Sequence, residues 1–164
     1  MPDMPDQTEI DKWHHWFAAE CNNRAWDLAE KAERSADEDR EMLLAAYAAT
    51  FHWSKTGKPI NEMRADFLLG HTLALSGDGV AAMKHARRCL DWCEAHSCED
   101  WDIAFAHAGL AHAAAFRGDA GLHAEHFARA GSFGRAIKDS EDRKVFLDVF
   151  SRLPVPAAAS DLSS

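Results

Sequence analysis

The sequence predicts an all-α protein built as a stack of helical hairpins, and three observations carry that prediction. The chain repeats itself at 41 residues: Ala65/Ala106, Leu69/Leu110, His71/His112, Ala74/Ala115, Gly77/Gly118, Asp78/Asp119, His85/His126 and Arg88/Arg129 are identical pairs. One step back lie Leu28, Ala29, Ala36, Asp37 and Ala48, a weaker third copy. A fixed period in this range marks stacked units that cannot bury their apolar faces alone. Second, Gly77-Asp78 and Gly118-Asp119 fall where one helix must stop and another start, because Gly leaves a helix through positive φ and Asp accepts orphan N–H groups. Third, helix signals run almost end to end, with no convincing strand.

The elements follow in order. Thr8-Glu9-Ile10-Asp11 has capping-box form, and Ile10, Trp13, Phe17 and Cys21 then recur at helical spacing, which predicts a helical region over 8–34. Ser35-Ala36-Asp37-Glu38 opens a second helix bearing Met42, Leu43, Ala46, Tyr47 and Phe51. Thr56-Gly57-Lys58-Pro59 ends it and places Pro59 in the first turn of a third, running to about Ser76. Asp78 starts a fourth, to about His96. Ser97 to Asp100 caps a fifth over 99–117, and Asp119 starts a sixth. Asp139 to Asp142 opens a last helix with Val145, Phe146, Val149 and Phe150, suited to cover the open end of the stack. Residues 8–153 form one domain in this reading, with 1–7 and 154–164 as flexible termini.

Composition narrows the function. At 164 residues with 47% hydrophobic content, six Trp and nine Phe, the chain buries a core without staples. No apolar run reaches the roughly 20 residues of a membrane span, and MPDMPDQTEI lacks the basic and apolar parts of a signal peptide. A cytoplasmic location and no membrane partner are the expectations. The net charge of -9, with no long basic run, argues against nucleic acid. Four Cys in such a setting imply reduced thiols or a metal site rather than a disulfide framework.

At this point the residues resemble the tetratricopeptide repeat (TPR) family. With Ala36, Gly77 and Gly118 at the motif's turn, Leu28, Leu69 and Leu110 hold its Leu position. Its small positions hold Ala29, Gly70 and Ala111 in the first helices and Ala48, Cys89 and Ala130 in the second, where small side chains let helices approach. The period exceeds the family's roughly 34 residues, so the likeness, over residues 13–137, is to TPR-like domains. HARRCLDWCEAH and WDIAFAHAGLAHA also look like a group of bacterial TPR-like proteins without an assigned activity. The resemblance implies a right-handed α-α superhelix of three TPR-like hairpins plus a C-terminal capping helix. It also implies that the first helix of each hairpin lines a concave groove, carrying Trp26 and Glu30, then Arg64, Phe67 and His71, then Phe105 and His112. His71 and His112 then project into one concavity, partly accessible, from adjacent hairpins; the alternative is that some of these residues face the terminal helix or a second subunit, with both imidazoles buried as packing residues.

Chemistry-bearing residues have ordinary packing readings beside them. Cys89, Cys93 and His96 lie at i, i+4 and i+7 on one helical stripe, and with Cys98 from the loop could surround Zn²⁺. Cys89 also occupies the small core position, where free Cys behaves as a buried hydrophobe. Ten His, among them His14, His15, His52, His107, and His123/His126 three apart, invite an acid-base or metal reading, yet no HExxH and no duplicated ExxH occurs. GxSxG and phosphate-cradling loops are absent from the sequence. The reading is therefore a non-catalytic module, without cofactor, that binds a protein or peptide or forms a homodimer. Trp13, Trp16 and Phe17, with no preceding repeat to cover them, support self-association. A small Zn-binding or ligand-sensing protein using the Cys and His residues is the alternative.

Overall fold

The computed structural model describes residues 4–157 and is all-helical across them. Seven helices follow one another: α1 Gln7–Ala29, α2 Ala36–Trp53, α3 Pro59–Leu75, α4 Gly79–Ala95, α5 Asp100–Arg117, α6 Ala120–Ala136 and α7 Ser140–Phe150. Consecutive helices pack in pairs, α1 on α2, α3 on α4, and α5 on α6, while α3 also touches both α1 and α5. The first helices of the pairs thus form a continuous inner row.

Local chemistry accounts for most boundaries. Ser35 and Glu38 form a reciprocal capping box, and Asp78, Asp119 and Asp139 accept N–H groups at the starts of α4, α6 and α7. Gly77 and Gly118 take φ of 86° and 76°, left-handed values that a side chain rarely tolerates. Two expectations are corrected, both at α1. The box of α1 is Asp6 with Glu9, not Thr8 with Asp11, because that register puts a carboxylate at the N-cap and Glu9 at N3, so both orphan donors are met. α1 stops at Ala29 rather than 34: Arg34 turns back to donate to the carbonyls of Leu28, Ala29 and Lys31. At α5 the cap falls within the expected stretch Ser97 to Asp100, at Glu99, whose N–H the Asp102 carboxylate accepts at 3.2 Å.

Leu28, Leu69 and Leu110, one per pair, are all at most 1% exposed. The last helix does more than cover an end. Phe146 is fully buried against Phe105, ring centroids 5.0 Å apart, and a Cβ at Gly134 of α6 would stand 2.0 Å from its ring. Past α7, Leu153 is buried, Arg152 donates to the carbonyl of Glu30 at 3.3 Å, and His123 Nε2–H donates to the carbonyl of Pro154 at 2.8 Å. The tail expected to be free from residue 154 is thus tethered at its first residue. The calls on 1–3 and 158–164 lie outside the described residues. Among the described residues no helix is long and apolar enough to cross a membrane.

Candidate functional site: an aromatic cleft on the inner row

The inner row brings Trp26 of α1, Arg64 and Phe67 of α3, and Phe105 of α5 to one cleft of about 250 Å³. These are four of the seven residues expected to line a groove. Their rings form a continuous wall: Trp26 stacks on Phe67 at 6.0 Å, Phe67 meets Phe105 at 5.0 Å, and Trp101 stands edge-on to Phe105 at 6.2 Å. Trp53, from the end of α2, closes one side.

The polar part of the cleft is an ion pair that the sequence reading missed. Arg64 binds Asp102 through two parallel bonds of 3.0 Å, Nε to Oδ1 and Nη2 to Oδ2, and lies over the Trp101 ring at 4.2 Å. The Asp102 side chain is 1% exposed, so a bidentate cation is what makes an ionised carboxylate tolerable there. The signal was in the repeat. Phe105 matches Arg64 one period on, and Asp102 lies one turn earlier on the same face of α5.

His71 and His112 do meet, with ring centroids 5.1 Å apart, but not in an open groove. They are 6% and 2% exposed. His71 packs on Phe67 and Trp26, and Val149, Arg152 and Leu153 of the C-terminal segment lie over it beside Glu30. The expectation of accessible imidazoles is therefore corrected: the end of the chain covers that part of the inner face. Burial pushes His71 down to about 3, helped by the neighbouring His112 and more distant arginines, and pushes His112 down to about 4. Both rings are neutral at physiological pH. His112 Nδ1 has no hydrogen-bond partner among the described residues.

The Cys/His stripe does not assemble. Cys89 donates its S–H to the carbonyl of Met63 at 3.3 Å, and His96 stacks on Trp92 at 4.5 Å with Nδ1–H donating to the Trp92 carbonyl. Burial pushes the Cys89 thiol well up, with the Asp66 carboxylate adding to it. It does the same to Cys93, where a hydrogen bond with Cys98 adds to the shift. Protonated thiols are poor ligands, and among the described residues no three His, Cys, Asp or Glu gather around one point.

Four of the remaining histidines pair across helices. His14 and His52 approach Nδ1 to Nδ1 at 2.8 Å, as do His107 and His126. In each pair one ring donates and the other accepts, so the two cannot both carry a proton between them. Asp66 and His85, 2.9 Å apart, occupy the positions of His107 and His126 one repeat earlier. The repeat therefore preserves an interhelical polar contact in α3/α4 and α5/α6 while its chemistry changes. Compared with protein-family models, with curated proteins and with solved structures, the chain matches none of them.

Proposed function

We propose that this chain is a TPR-like, non-catalytic interaction module that binds a segment of another polypeptide through its inner row. The observation that supports the reading is the cleft, whose walls come from the first helices of three successive pairs and whose charged groups neutralise each other. A catalytic site needs a base or nucleophile poised near neutrality, whereas here burial holds the His71, His107 and His112 imidazoles neutral and the Cys89 and Cys93 thiols protonated. Aromatic walls around a half-buried Arg are the composition of binding hot spots.

Selection from a displayed random-peptide library tests the reading. Wild-type protein is expected to enrich related sequences, and the Phe67→Ala and Phe105→Ala variants to lose them while keeping their helical circular dichroism. Failure to enrich any sequence, or enrichment indifferent to both substitutions, overturns it.

Self-association has its own support. Trp13, Trp16, Tyr47 and Phe51 are each about half exposed on α1 and α2, a concentration of aromatic surface at one end of the molecule. A homodimer through this end predicts a doubled mass in light scattering at high micromolar concentration, reverting to the monomer in Trp13→Ser/Trp16→Ser.

A further inference from the structure

The cleft also carries information about what it takes. We infer that it seats a single aromatic side chain with a hydrogen-bonding edge, Trp or Tyr, projected from a partner segment; this rests on the peptide-binding reading above.

Three features lead there. The first is size. About 250 Å³ falls short of the roughly 300–1,000 Å³ of drug-sized sites, yet exceeds the roughly 150 Å³ cavity that takes one benzene ring. One bicyclic or substituted ring fills it.

The second is charge. Both oxygens of Asp102 and two nitrogens of Arg64 are consumed in their mutual bonds, and Asp102 Oδ2 also accepts the N–H of Glu99. With its ion pair satisfied from within, the cleft offers no unpaired carboxylate to a cation, while a charged group entering it would give up its hydration. An uncharged ring entering beside Trp26, Phe67 and Phe105 extends a ring cluster already spaced for stacked and edge-on contacts.

The third is the polar remainder. Asn22 of α1 and Asn61 of α3 both line the cleft and are half-buried, and neither carboxamide bonds to any described residue. A carboxamide supplies both an acceptor and donors. An indole N–H or a phenol O–H satisfies it, and a Phe ring leaves it unsatisfied.

The face of α1 that holds Asn22 and Trp26 continues towards the N-terminus through Ala19, His15 and Thr8, all surface residues of the same stripe. From Thr8 to Trp26 the stripe spans about 27 Å, room for roughly eight residues of extended chain leading to the anchor.

The test uses the full chain and N-acetyl amides of Trp, Tyr, Phe and Leu, titrated while the Trp indole signals are followed by NMR. Trp and Tyr amides are expected to shift the Trp26 and Trp101 signals and to bind about five-fold more tightly than the Phe amide. Asn22→Ala together with Asn61→Ala is expected to erase that preference while leaving binding of the Phe amide unchanged. Equal binding of all four amides, or shifts confined to Trp13 and Trp16, overturns the inference. So does a preference that survives loss of both carboxamides. The two readings fail separately. Library sequences that enrich through Phe67 and Phe105 but contain no Trp or Tyr overturn the anchor and leave the module standing. Amides that bind as expected while no peptide enriches leave the anchor site standing and overturn the module.

Discussion

The first helix of the inner row, α1, and the two behind it, α3 and α5, hold equivalent places in the repeat and are packed very differently. α3 is buried without interruption from Ala65 to Ala74 and α5 from Ala106 to Ala114, whereas α1 buries only Ala18, Ala25, Leu28 and Ala29. The cause is the number of neighbours. α3 is enclosed by α1, α2, α4 and α5, and α5 by α3, α4, α6 and α7, while α1 has partners on one side only. Enclosure on all sides admits only small or shape-matched residues, which is why Ala, Gly and Leu recur there at 41 residues and the copy in α1 is faint. On α1 the uncovered face is free to carry Trp13 and Trp16, and the same chain then presents a closed core beside an open aromatic surface.

Acid is expected to attack the enclosed row most strongly. His71, His107 and His112 are held neutral by burial, with values pushed down to about 3, 4 and 4 from 6.5. A lowered imidazole value means that the unfolded chain takes up protons the folded one refuses. Stability is therefore complete above about pH 6.5 and falls as pH drops towards 4. Between pH 8 and pH 5 each ring removes about 2 kcal/mol, about 6 kcal/mol for the three. Urea unfolding at the two pH values measures it, and His112→Phe should return about a third of the difference. An unchanged midpoint would mean that the rings titrate freely.

Phe146→Ala comes next. Emptying a fully buried ring site costs about 4 kcal/mol, and because the ring fits against Gly134 and Phe105, the denaturation midpoint should fall and Arg152 should lose its contact with Glu30. Enhanced proteolysis after residue 139 would report the detached helix.

Arg64→Ala tests the cleft at its rim. Leaving Asp102 buried and unpaired costs about 2 kcal/mol, less than for a fully enclosed pair because the Arg64 side chain is 35% exposed. The loss should shrink in Arg64→Ala/Asp102→Asn, a comparison that thermal unfolding resolves. The smallest effect belongs to the open end. Trp16→Ser should change stability by under about 0.5 kcal/mol, since that ring is 57% exposed, and should act on self-association alone. A large loss of stability there would show that α1 is covered after all.

The difference between these regions also marks how far the residues could be read in advance. Four of the seven groove residues, Trp26, Arg64, Phe67 and Phe105, meet in the cleft because repeat register and helix face together place equivalent positions on one row. Glu30 and the two imidazoles went elsewhere because α7 and the residues after it cross that part of the row. No periodicity announces where a helix outside the repeat will lie. Asp102 was hidden by its place in the first turn of α5, where an acid reads as a helix-start residue; here it serves both the start of α5 and Arg64.

By itself the sequence determined the all-helical content, the caps at Ser35, Asp78, Asp119 and Asp139, the left-handed turns at Gly77 and Gly118, and the buried Leu of each pair. Each depends on hydrogen bonds or steric limits acting within about four residues, or on a face pattern repeated along one helix. Only the tertiary structure decided that His71 and His112 are sealed and neutral, that Arg64 closes on Asp102 38 residues away, and that Arg152 reaches Glu30 across 122. Those contacts depend on how far one helix is translated and rotated against another. That placement is set by the volumes of all the side chains between them, which no single segment of the chain contains.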